Sequence, residues 1–103
     1  LADLLDPWQP ALLELIGGCA AAGKAAGKSV GVCGEAAADP LLAPVLAGLG
    51  ITKLSMSPRS LPAVRASLAE HTLAECERLA ARALETGDAA EARAAVLAKT
   101  TGT

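Results

Sequence analysis

Two short runs of small and β-branched residues, Ser29 to Glu35 and Lys53 to Ser57, are separated by one helical pattern. That arrangement constrains this chain more than any other feature. The linking segment is too long for a tight hairpin, so the two runs predict parallel strands joined through a helix by a right-handed crossover. The first run is continuous in Val and small residues, without polar alternation, as in a strand buried on both faces of a parallel sheet. The predicted class is α/β.

The remaining segments read as helices. Asp6-Pro7 and Gln9-Pro10 are turn and start signals, and Leu12, Leu13, Ile16, Cys19 and Ala20 recur on one face of a helix over 10–26. The pair Gly17-Gly18 weakens it by roughly 1 kcal/mol per Gly, so packing must support it, and Gly27 supplies the stop. Asp39 and Pro40 predict the cap and first position of a helix reaching Leu49, with Pro44 tolerated near its first turn. After the second strand, Ser60-Leu61-Pro62 opens a helix carrying Val64 and Leu68. Thr72 caps the next, with Leu73, Cys76, Leu79, Ala80 and Leu84 inward, and Ala89, Ala92, Val96 and Leu97 mark the last. The expected order is α-β-α-β-α-α-α.

Composition sets what such elements can build. With no Phe or Tyr and only Trp8 as an aromatic among 103 residues, the core must come from Ala, Leu, Val and Ile and is shallow. A net charge of -2 and the lack of stacking residues argue against nucleic-acid binding. No apolar run reaches the roughly 18 residues of a membrane span, and no signal-peptide pattern opens the chain. A cytoplasmic protein is expected. Cys19, Cys33 and Cys76 are odd in number and widely spaced, which points to free thiols rather than disulfides or zinc. Cys19 and Cys76 fall at inward helical positions, where core packing is expected. His71 lies between helices, in a structural or solvated position.

Two parallel strands with helices on one side leave edges and a face uncovered. The chain also starts at Leu1 with a helix signal close behind, so a fragment is expected. A closed eight-stranded α/β barrel needs on the order of 250 residues, and this chain suits its last two strands with their helices. In such barrels the working residues sit at the C-terminal strand ends, here Cys33-Gly34-Glu35 and Ser55-Met56-Ser57. Gly34 lets a ligand or backbone approach the thiol closely. On pattern alone Cys33 is equally a small core residue or a group that does chemistry. Glu35, a single carboxylate, suits a supporting hydrogen bond better than metal ligation. Ser55 and Ser57 lack a nearby base and read as structural or supporting residues. Arg59 reads as a helix-end or surface cation.

The segments Gly31 to Pro40, Gly48 to Ile51 and Leu54 to Pro62, together with the opening Leu4 to Ala11, resemble the C-terminal end of enzyme I of the bacterial phosphotransferase system, a phosphoenolpyruvate-utilising enzyme family. Pyruvate phosphate dikinase shares the Cys-Gly-Glu triplet, and phosphoenolpyruvate synthase has a related strand. Ser55-Met56-Ser57-Pro58 and Ser60-Leu61-Pro62 favour enzyme I. The resemblance implies that residues 1–103 are part of a phosphoenolpyruvate-binding TIM-barrel domain, with strands near 29–35 and 53–57 and C-terminal helices over 61–100. It implies a phosphotransferase that moves a phosphoryl group from phosphoenolpyruvate to its own histidine and on to the phosphocarrier HPr in sugar uptake. In that family the cysteine of the triplet protonates the enolpyruvate, a role that maps onto Cys33. With an unperturbed pKa near 8.5, a thiol is mostly protonated at neutral pH yet able to give and regain a proton. Gly34, Glu35, Ser55 and Ser57 are then substrate-binding or supporting residues.

Residues 1–58 contain no Arg, and no position matches the family's phosphate-gripping arginines, its Mg²⁺ ligands or its phosphorylated histidine. The chain alone is expected to be inactive, with Mg²⁺ held elsewhere in the parent. Two further readings are a non-catalytic dimerisation piece, since the family's barrel domain forms homodimers, and a stand-alone thiol redox protein.

Overall fold

The computed structural model describes residues 6–100, so the resemblance carried by Leu4 and Leu5 lies outside the described residues. Helix α1 spans Pro10–Ala25, strand β1 Gly31–Cys33, α2 Ala43–Gly48, β2 Lys53–Ser55, α3 Leu61–Ala69, α4 Leu73–Leu84 and α5 Ala89–Thr100. A short 3-10 turn at Pro58–Ser60 leads into α3. The order is the one expected, and β1 and β2 pair in parallel with Gly31 opposite Lys53, Val32 opposite Leu54 and Cys33 opposite Ser55.

Helix α1 starts where Pro10 supplies a fixed φ and gives up an N–H that would be unpaired anyway. It stops where Gly27 takes a positive φ of 72°, letting the Lys28 N–H close back onto the Gly23 carbonyl at 2.7 Å. Gly17 packs towards Leu49 beyond α2, the external support that the double glycine required.

Both strands are shorter than expected. Gly34 leaves β1 at φ +85°, and Pro58 opens the 3-10 turn soon after β2, so neither ladder extends. The strands are not buried on both faces; the uncovered face expected of a two-stranded piece is present. Val32 and Leu54 pack partly against the core, whereas Gly31, Cys33, Lys53 and Ser55 are exposed. Side chains alternate across a strand, and this chain's helices cover one face of the two-stranded ribbon only.

The helix predicted from Pro40 begins at Ala43. The Ala43 N–H reaches the Asp39 carbonyl at 3.0 Å, but Pro44 cannot donate to the Pro40 carbonyl four residues back, so the ladder is interrupted there. The Ser67 hydroxyl on α3 donates to that carbonyl instead. Beyond this turn, Ala43 to Leu46 are wholly buried.

The core joins Trp8, Leu13, Leu42, Val45 and Leu46 to Leu79, Ala83 and Val96, and α4 is its hub, packing against α1, α2 and α5. Helix α4 presents Cys76, Leu79, Ala80 and Ala83 to it. Leu73 and Leu84, expected inward, are 65% and 38% exposed. Leu73 is the first helical residue and leans off the end, because helical side chains tilt towards the N-terminus. The small Ala83 takes the wholly buried position at this end of α4, and Leu84 beside it falls on the outer flank. Cys76 is buried as expected, but Cys19 is exposed, on a face of α1 shared with Leu15. Thr72 caps α4 through a complete capping box with Glu75. His71 is half-buried in the turn between α3 and α4. Among the described residues no helix is long and apolar enough to cross a membrane.

Candidate active site

The ladder sets Cys33 directly opposite Ser55 at the C-terminal end of the ribbon, both on its uncovered face. The next peptide fastens the two strand ends: the Gly34 N–H donates to the Ser55 carbonyl at 3.2 Å. Gly34 then turns the chain at a φ that residues with a side chain rarely adopt. Its carbonyl accepts the Ala38 N–H at 3.2 Å, closing the loop Glu35 to Ala38. Cys33, Gly34 and Ser55 are therefore one cluster, with the thiol open to solvent rather than packed in a core.

The other predicted residues lie apart from it. Glu35 is exposed and turns into a concavity shared with Trp8, Ala36, Asp39 and Arg93. Ser57 is exposed and leads into the 3-10 turn, where its carbonyl accepts the Ser60 N–H at 3.0 Å. Arg59 is exposed within that turn. Among the described residues the ion pair is Arg82 with Glu85, so Arg59 is a surface cation without a carboxylate partner.

Three residues gain a place that sequence reasoning did not give them. Lys53 shares the uncovered face with Cys33 and Ser55, a position readable from strand parity once the register is known. Arg93, near the end of the chain, reaches the concavity beside Glu35. Asp39 does more than cap: one carboxylate oxygen accepts the N–H groups of Leu41 and Leu42 at 3.0 and 3.4 Å, and the other accepts the Trp8 indole N–H at 3.0 Å. Nothing in the spacing of Trp8 and Asp39 announces that contact.

A thiol at a parallel strand end, fastened to a hydroxyl-bearing neighbour and followed by a positive-φ glycine, is an arrangement that comparison with known proteins can place. The family described as PEP-utilising enzyme, PEP-binding domain, matches residues 1–73. The chain belongs to this family. The match contains Cys33, Gly34, Glu35, Ser55 and Ser57 and ends at the start of α4. A phosphoenolpyruvate-protein phosphotransferase of Streptomyces coelicolor is 64% identical over 99% of this chain and 18% of its own length. A protein of the same name from Haloferax volcanii is 41% identical over 88% of this chain and 16% of its own. A multiphosphoryl transfer protein of Xanthomonas campestris is 40% identical over 91% of this chain and 11% of its own. The resemblance to phosphoenolpyruvate-protein phosphotransferases is thus borne out. The chain spans less than a fifth of the length of these relatives.

Proposed function

We propose that this chain is the C-terminal part of the phosphoenolpyruvate-binding barrel of a phosphoenolpyruvate-protein phosphotransferase, and that Cys33 protonates the enolpyruvate left when the phosphoryl group departs. The observation that carries the reading is the exposed Cys33 thiol at the end of β1, beside Ser55, within the matched family region. In the step, the Sγ–H bond breaks, a C–H bond forms at C3 of the enolate, and the enolate collapses to the ketone of pyruvate. The thiolate is reprotonated by water or returns the proton in the reverse direction. Ser55, and Gly34 through its lack of a side chain, shape the floor on which the three-carbon acid rests. Glu35 and Ser57 support the loops around it.

In the intact protein the phosphoryl group passes to a histidine and on to the phosphocarrier HPr during sugar uptake, in the cytoplasm, and the barrel domain pairs as a homodimer. The uncovered ribbon face and the parallel pairing support the barrel assignment, since strand ends carry the site in that fold. Mg²⁺ belongs to this chemistry, and in this reading its ligands stand elsewhere in the intact protein.

The test is Cys33→Ala in the intact protein, assayed for pyruvate formation and for hydrogen exchange at the pyruvate methyl group. Loss of both, with phosphoenolpyruvate still bound, is expected. Unchanged exchange would remove the proton-donor assignment.

A further inference from the structure

The Cys33 side chain is exposed, so its position derives from the backbone that carries it. The peptide after it is held at both ends. The Gly34 N–H is tied to Ser55 and its carbonyl to Ala38, in a turn that continues with the Asp39 N–H on the Ala36 carbonyl at 3.4 Å. Gly34 itself resists rotation weakly, because it lacks a Cβ. Whatever holds the far end of the turn therefore sets the thiol. That end is Asp39, with one oxygen on the Leu41 and Leu42 N–H groups and the other on the Trp8 indole. Trp8 is 4% exposed and part of the core cluster, so the anchor is fixed. Hydrogen bonds to an ionised acceptor are roughly twice as strong as neutral ones, which suits a clamp.

We propose that Trp8 and Asp39 form a positioning pair that fixes the turn after Cys33 and thereby aims the thiol at C3 of the enolpyruvate. The proposal rests on the proton-donor reading of Cys33. Neither residue touches the substrate.

The experiment uses the intact protein with three changes: Asp39→Asn, replacement of Trp8 by 3-benzothienylalanine, which exchanges the N–H for sulfur at nearly constant volume, and both together. Hydrogen–deuterium exchange at the pyruvate methyl group is read beside KM for phosphoenolpyruvate and the folded fraction. Each single change is expected to slow exchange about tenfold, within the range that small misplacements of reacting groups produce. KM should stay within about twofold, and the double change should be little worse than the poorer single one. Exchange at the parent rate in both single variants, with Cys33→Ala inactive, would overturn the pairing and leave the proton donor intact. Losses that simply track the folded fraction would also overturn it, assigning a structural role. Full exchange in Cys33→Ala would remove both the pairing and the reading beneath it.

Discussion

The Ser67 hydroxyl on α3 donates to the Pro40 carbonyl, standing in for the N–H that Pro44 lacks. A carbonyl left without that donor in a partly buried site costs about 1–3 kcal/mol. Ser67→Ala should lower stability by that order in urea unfolding. In a Pro44→Ala background, residue 44 regains an N–H for the same carbonyl, and the effect of Ser67→Ala should shrink.

Gly48 and Cys76 mark the closest approach of α2 and α4: a Cβ on Gly48 would overlap the Cys76 carbonyl, which is backbone and cannot swing aside. Gly48→Ala is expected to destabilise by about 1–3 kcal/mol through overpacking. At Gly18, in the exposed part of α1, a Cβ meets nothing within 4 Å. Gly18→Ala should stabilise by about 0.5–1 kcal/mol. Paired denaturation curves test both, and equal effects would contradict the packing.

The capping box gives α4 a pH dependence. Accepting the Thr72 N–H holds the Glu75 carboxyl below its ordinary pKa, so its contribution is present above the unfolded-state value and is lost as pH falls through the lowered folded value. Glu75→Gln should flatten that part of the stability profile on the acid side of about pH 4. Thr72→Ala should cost about 1 kcal/mol at neutral pH. Thermal melts from pH 3 to 7 read both.

The thiols should separate by accessibility. Cys19 and Cys33 are exposed, while burial raises the pKa of Cys76. Alkylation at pH 8 should modify two thiols rapidly and the third only on unfolding, identified by peptide mass. Because thiolate formation at Cys76 is disfavoured in the fold, stability should also fall as pH rises above about 8.5.

The sequence by itself determined the element order, the parallel pairing, the cap at Thr72, the stop at Gly27 and the family, because each rests on local chemistry or a contiguous motif. It also placed Cys33 and Ser55 at strand ends, and the register made them neighbours. It misjudged Cys19 and Leu73 because helical periodicity names a face without saying what covers it. Only the tertiary structure decided that Cys33, Ser55 and Lys53 share the open face of the ribbon, that Ser67 repairs the Pro40 turn and that Trp8 anchors Asp39. Those contacts join residues far apart in the chain, and their partners are chosen by how helices stack rather than by any local propensity.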